Sequence, residues 1–142
     1  MADIIEEETH VLEKEIDTIC GITINGIPYA TFLSDILGTE LAIYRSLTLK
    51  GEGTFSSNYA NVSGKNVVIV DDVVSTGETI SKALSAVKKE KGNPVLVVVL
   101  TNKTTIFCRA SLSMSWCAKH TCKYERMILS ICTLFLTPEY WT

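Results

Sequence analysis

The stretch VVIVDDVVSTGETI, residues 67–80, places four apolar residues directly before two adjacent aspartates. A short run that is apolar at every position is typical of a strand with both faces covered. Such a strand belongs in a sheet that lies between layers of helices. The stretch therefore predicts an α/β fold and leaves Asp71 and Asp72 at the end of a buried strand.

Further apolar patterns along the chain alternate between the periodicities of strands and helices. They predict four strands, at residues 16–24, 40–44, 67–70 and 95–100. They predict three helices, at residues 3–17, 29–37 and 79–91, with Gly38 ending the second. Residues 45–61 lack periodicity and are predicted as a loop. The alternation predicts a parallel twisted sheet of four to five strands with helices on both faces.

Length, charge and the N-terminal sequence limit the class of protein. The 142 residues are enough for one domain with a hydrophobic core. A net charge of -3 gives no reason to expect direct nucleic-acid binding, and no apolar window reaches the ~18 residues of a membrane helix. The N-terminal stretch MADIIEEETH is acidic, unlike a signal or transit peptide. We therefore expect a cytoplasmic protein that does not bind membranes.

The composition changes after residue 105. Residues 106–142 hold four of the five cysteines, both tryptophans and no glycine, and their periodicity is poor. We therefore predict a core domain over residues 1–105 and a divergent C-terminal tail over residues 106–142, to which the patterns assign no structure.

The residues after the third predicted strand indicate a binding site. Ligands of parallel α/β sheets bind at the carboxyl ends of the strands, where Asp71 and Asp72 stand. The turn at residues 75–79 leads into a helix, whose first N–H groups and dipole favour an anion such as phosphate. Sugar hydroxyls or the water shell of Mg²⁺ would satisfy the two carboxylates. The alternative is that the acids merely end a strand and that Ser75 or Thr76 caps the helix.

The same stretch resembles the phosphoribosyl pyrophosphate signature of the type I phosphoribosyltransferases: an apolar strand, an acidic pair and a T-G-x-T-like loop. GITINGIPYA, residues 21–30, is similar to the region of the pyrophosphate loop in this family. GTFSSNYANVSGKNVVIVDDV, residues 53–73, is similar to the segment before the signature in orotate phosphoribosyltransferases. The resemblance covers about residues 16–103 and implies the type I core with a reduced or absent hood.

The resemblance also implies a reaction and a set of site residues. Enzymes of this kind transfer ribose 5-phosphate from phosphoribosyl pyrophosphate to a nucleobase, orotate being favoured here, with Mg²⁺ and release of pyrophosphate. By resemblance, Asp71 and Asp72 act in catalysis and hold the ribose hydroxyls or Mg²⁺ through water. The implied 5-phosphate site consists of Val74, Ser75, Thr76, Gly77, Glu78 and Thr79. The implied pyrophosphate loop consists of Thr23, Ile24, Asn25 and Gly26.

The stretch YRSLTLKGEG stands where orotate enzymes carry a loop with several lysines. It holds only Arg45 and Lys50, which the resemblance makes the remaining catalytic candidates. Two alternatives therefore stay open: the non-catalytic, ligand-sensing domain of an archaeal transcription regulator, and a purine phosphoribosyltransferase. No helix-turn-helix is recognised before residue 16, so direct nucleic-acid binding by this chain is not expected. The expected partners are phosphoribosyl pyrophosphate, a nucleobase and, by family likeness, a second copy in a homodimer.

Overall fold

The computed structural model describes residues 1–46 and 53–102, together with the backbone of residues 132–135. The helices of the described residues are α1 (Ala2–Val11), α2 (Gly26–Leu37) and α3 (Glu78–Lys89). The strands are β1 (Thr18–Ile22), β2 (Glu40–Arg45), β3 (Thr54–Phe55), β4 (Asn66–Val74), β5 (Asn93–Asn102) and β6 (Cys132–Phe135).

The strands form one sheet in the order β3-β2-β1-β4-β5-β6. The four central strands are mutually parallel, whereas β3 and β6 lie antiparallel at the edges. The predicted α/β fold with a parallel sheet is thus confirmed, and two short antiparallel strands extend the sheet to six. β3 lies inside the stretch predicted as a loop, because Phe55 packs its ring against Tyr44 with 5.5 Å between the ring centroids.

Helices cover both faces of the sheet, which explains why its strands are apolar at successive positions. On one face, Ile80 and Leu84 of α3 pack with Val67 and Ile69 of β4. On the other, α1 and α2 pack against the alternate positions of the same strand, Val68 and Val70. β4 therefore buries both sets of side chains over residues 67–70. Within the described residues, we find no helix long and apolar enough to span a bilayer.

The predicted helix at residues 3–17 is too long, because α1 ends at Val11. Val11 is 70% exposed, so the apolar stripe that holds the helix on the sheet does not continue. The chain then turns through Glu13, whose φ is 51°. α2 begins at Gly26, three residues earlier than predicted, and ends as predicted before the left-handed Gly38 (φ 64°).

A difference in strand length opens a crevice beside β4. The pairing of β1 with β4 runs from Thr18↔Val67 to Gly21↔Val70 and stops there. β4 continues to Val74, where its described partner is β5 alone. Asp71 and Asp72, predicted to follow the strand, therefore lie within it. The crevice lies where the chain order of the strands reverses, which is the usual binding position in such sheets.

Candidate functional site

The two aspartates of β4 differ in their surroundings. Asp71 is 7% exposed and accepts a hydrogen bond from the backbone N–H of Asp72 (2.9 Å), while the side chain of Asp72 is half-buried. Burial raises the pKa of Asp71 to about 7; the N–H of Asp72 lowers it, and the Asp72 carboxylate raises it further. Asp71 thus changes charge near neutral pH, and an opposite charge in the crevice would favour its ionised form.

The turn that follows β4 is open to solvent. Ser75, Thr76 and Thr79 are exposed, whereas Gly77 is buried and adopts a left-handed conformation (φ 78°) that favours glycine. The N-cap of α3 is Gly77 and not Ser75 or Thr76, and only a long hydrogen bond of 3.4 Å joins the N–H of Glu78 to Thr76 Oγ1. The hydroxyls therefore remain available, and the first N–H groups of the helix have no intrahelical partner.

An open pocket joins this turn to Asp71. Asp71 and residues 73–80 line it. The carboxylate and the helix start therefore face one space, where a phosphate at the turn would lie beside groups that accept hydrogen bonds from a sugar.

The loop after β1 is fixed to the end of β2. The N–H of Thr23 donates to the carbonyl of Tyr44 (2.9 Å), and its hydroxyl Oγ1 accepts from the N–H of Ser46 (3.3 Å). The peptide bond between Thr23 and Ile24 is cis, and Ile24 is 81% exposed. The two hydrogen bonds of Thr23 set the position of the loop at the carboxyl edge of the sheet.

The other end of this loop contacts β4. Asn25 Nδ2 donates a hydrogen bond of 3.0 Å to Asp72 Oδ2, and Gly26 is buried at the start of α2. The predicted pyrophosphate loop and the predicted phosphate turn therefore both adjoin the acidic pair. Their roles in binding stay predictions.

The two basic candidates stand apart from this group. Arg45 ends β2, and its Nη2 lies 3.5 Å from Ser56 Oγ. It is not among the residues that line the pocket at the turn. Lys50 lies outside the described residues.

Two side-chain contacts beside the site are not among those predicted from the sequence. Asn25 is predicted only as part of the pyrophosphate loop, and no local pattern signals the bond of its side chain to Asp72. Lys82 forms an ion pair of 2.7 Å with Glu78, and the hydrogen bond and charge of Lys82 lower the pKa of Glu78. Their i,i+4 spacing could have indicated this pair. The ion pair with Lys82 offsets the negative charge of Glu78 next to the phosphate turn.

The acidic pair fits a bound Mg²⁺ only in part. Among residues 1–46 and 53–101, no group of three or more His, Cys, Asp or Glu side chains could hold a metal ion. Mg²⁺ commonly takes one or two carboxylates and completes its shell with water and substrate phosphates. Asp71 and Asp72 suit that arrangement, in which the ligand supplies the remaining oxygens.

Comparison with known proteins identifies a family and a set of relatives. The sequence model of the phosphoribosyl transferase domain matches residues 1–105. The transcriptional regulator GfcR of Thermoplasma acidophilum is 52% identical over 106 residues, which are 75% of this chain and 54% of the relative. GfcR of Methanosphaera stadtmanae is 43% identical over 97 residues, 66% of this chain and 49% of the relative. The chain thus spans about half the length of these relatives.

Solved structures with the same fold include several phosphoribosyltransferases. An adenine phosphoribosyltransferase is 26% identical with a TM-score of 0.59, covering 71% of this chain and 65% of its own. A purine phosphoribosyltransferase from Pyrococcus horikoshii is 27% identical with a TM-score of 0.56. The match covers 71% of this chain and 69% of the solved chain. An orotate phosphoribosyltransferase from Aeropyrum pernix, 21% identical with a TM-score of 0.57 and covering 72% and 57%, shares the fold.

Proposed function

Because the chain belongs to the phosphoribosyl transferase domain family, we propose that it binds phosphoribosyl pyrophosphate with Mg²⁺ in the crevice between β1 and β4. The observation that carries this proposal is the hydrogen bond from Asn25 to Asp72, which joins the loop after β1 to the acidic pair. The phosphate turn opens from the same strand. Three groups suited to three parts of one ligand therefore lie side by side.

Each part of the ligand has a matching group in the proposed complex. The turn at residues 75–79 binds the 5-phosphate through hydroxyls and the first N–H groups of α3. Asp71 and Asp72 accept hydrogen bonds from the ribose hydroxyls, directly or through water on Mg²⁺. The loop at residues 23–26 cradles the pyrophosphate with its backbone. The alternation of two acids with two anion-binding segments favours a ligand that has hydroxyls between its phosphates.

The first candidate function is that of a ligand-sensing domain in a transcription regulator. Relatives up to 53% identical over 106 residues are named transcriptional regulator GfcR. Arg45, one of only two bases in the stretch YRSLTLKGEG, contacts Ser56 and does not line the pocket. Binding needs the turn, the acids and the loop, whereas transfer also needs charge that balances the departing pyrophosphate. The described residues of the site thus supply groups for recognition more directly than groups for turnover.

The second candidate function is transfer of ribose 5-phosphate to a nucleobase, with orotate as the favoured base and a purine as the alternative. The likeness to solved purine phosphoribosyltransferases at 26–27% identity favours it. In this case Asp71 and Asp72 also stabilise the positive charge that develops on the ribose. Bound Mg²⁺ would make the pyrophosphate a better leaving group.

We also propose that the protein is cytoplasmic and that it forms a homodimer. For the homodimer we propose contact through the stripe Tyr29, Phe32 and Ile36 on α2, which is apolar and exposed by 37%, 69% and 67%. Two antiparallel copies of α2 related by a two-fold axis would set Tyr29 of each against Ile36 of the other, which makes the proposed contact isologous.

Ligand binding is tested by thermal unfolding of the whole chain. Phosphoribosyl pyrophosphate with Mg²⁺ should raise the melting temperature, because a ligand that binds the folded state stabilises it. Asp71→Asn combined with Asp72→Asn should abolish the rise. Asp35→Asn, an exposed acid on α2, is the matched control and should keep it. A rise that survives the double substitution contradicts the assigned ribose site.

The two candidate functions differ in product. A transferase releases pyrophosphate when the correct base is added to phosphoribosyl pyrophosphate and Mg²⁺, whereas a sensor binds and releases none. A panel of orotate and purine bases in a pyrophosphate-release assay separates them. Release with any base rejects the purely sensing role. Binding without release across the panel leaves the sensing role as the proposal.

A further inference from the structure

The side chain of Asn25 joins two segments that are 47 positions apart in the sequence. Its Nδ2 donates to Asp72 Oδ2 at 3.0 Å. Under the proposed function, on which this inference rests, Asn25 belongs to the pyrophosphate loop and Asp72 to the ribose site. One hydrogen bond therefore connects the groups that hold two different parts of the same ligand.

The two segments joined by this hydrogen bond are each held by other contacts, so the bond between Asn25 and Asp72 is the part of the connection that can change. The backbone of Asp72 is held in β4, where its N–H donates to Asp71. On the loop side, Thr23 is held by the carbonyl of Tyr44. Asn25 reaches the Asp72 carboxylate from the loop side, and the Asp71 carboxyl lies beside it on β4. Asn25 therefore restrains the rotation of that carboxylate relative to the loop.

We propose that Asn25 is a positioning residue that couples recognition of pyrophosphate to recognition of ribose. By holding Asp72 Oδ2, it leaves Oδ1 as the oxygen that can accept from a ribose hydroxyl or a water on Mg²⁺. Pyrophosphate that orders the loop also orders Asn25, and through it the carboxylate. Thermodynamic linkage makes the effect reciprocal, so a bound ribose phosphate strengthens pyrophosphate binding by the same factor.

If the hydrogen bond between Asn25 and Asp72 only stabilised the fold, its loss would lower the stability and leave the coupling between ligands unchanged. Both side chains reach solvent, and a hydrogen bond between exposed groups adds little to stability because water replaces it. Loss of the bond should therefore leave the fold intact and act on the coupling between ligands. The coupling, not the melting temperature, is the quantity that distinguishes the two roles.

The experiment measures a thermodynamic cycle by titration calorimetry in excess Mg²⁺. The affinity for ribose 5-phosphate is determined with and without saturating pyrophosphate, and the ratio of the two is the coupling factor. We expect a factor of about 5 or more in the unaltered chain, within the usual range for linked sites. Asn25→Ala should reduce it to about 1; because the factor is a ratio of two affinities measured in the same variant, a loss of affinity for pyrophosphate alone does not by itself change it.

Two further variants make the result specific. Asn25→Gln keeps the amide donor and should retain part of the coupling. Asn58→Ala removes the same amide from an exposed position outside the proposed site and should retain all of it. Equal coupling in Asn25→Ala and the unaltered chain overturns the inference, as does a factor of 1 in the unaltered chain. If the unaltered chain binds neither ligand, the proposed function itself fails, which is a distinguishable outcome.

Discussion

The carbonyl oxygen of Val70 lies directly against the backbone of Gly26. A β-carbon added to Gly26 would stand 2.6 Å from that oxygen and 3.4 Å from Asp71 Oδ1. The start of α2 is thus pressed against the last residues that β4 shares with β1. The absence of a side chain at position 26 sets how closely the loop after β1 approaches the acidic pair.

Gly26→Ala should therefore destabilise the fold and disturb the loop. The contact is with backbone, which cannot rotate away, so we expect a loss of about 1–3 kcal/mol in the free energy of unfolding, typical of overpacking. Chemical denaturation measures it. Ile24→Ala in the same loop removes a side chain that is 81% exposed and should cost much less. Equal losses in the two variants would contradict the proposed close contact.

Removal of one hydroxyl tests the phosphate turn. Thr76→Ala should weaken binding of ribose 5-phosphate by about 1.5–3 kcal/mol, the usual contribution of a hydrogen bond to a charged group. Its hydrogen bond to the N–H of Glu78 is long, so the melting temperature should change little. Calorimetric titration measures the affinity. Thr31→Ala, at an exposed threonine of α2, serves as the matched control and should bind normally. Unchanged affinity in Thr76→Ala would place the phosphate elsewhere.

The buried carboxyl of Asp71 should make stability depend on pH. Its pKa is raised from 3.8 to about 7, chiefly by burial, so between these values the folded state binds more protons than the unfolded state. The free energy of unfolding should therefore fall as the pH rises from about 4 to about 7 and then level off. The difference between the unaltered chain and Asp71→Asn, measured by urea unfolding without Mg²⁺, isolates this contribution. A difference that stays constant over that range would show that Asp71 titrates normally.

The homodimer proposal is tested at Phe32. Phe32→Glu places a charge in the centre of the exposed stripe on α2 and should convert the dimer to monomer, because an unpaired charge is costly to bury. Sedimentation velocity at several concentrations measures the association. Thr31→Glu adds the same charge on another side of the helix and should leave the dimer intact. A monomeric unaltered chain at tens of micromolar would end the proposal.

The pattern of apolar residues was sufficient to predict the parallel core of the sheet. Val67 to Val70 are covered on both faces, so local sequence and global packing agree there. The extent of β4 was missed because Asp71 and Asp72 are poor strand formers. They stay in the strand through pairing with β5, a contact that local propensity does not contain.

The geometry of the site was less predictable than its composition. The type of residue needed for a phosphate and a sugar can be recognised in a short stretch, as Gly77 and its neighbouring hydroxyls illustrate. The bond from Asn25 to Asp72 depends on strand order, which brings distant segments together. The place of Arg45 beside Ser56 likewise depends on β3, which the sequence pattern did not reveal.

Because β1 ends at Ile22 whereas β4 runs on to Val74, the backbone itself creates the opening above the sheet. Under the proposed function, exchanges of side chains along its walls would therefore alter which molecule binds while the opening persists. Lengthening β1 in register with β4 would fill it with main chain, which under the proposed function would prevent the ligand from binding.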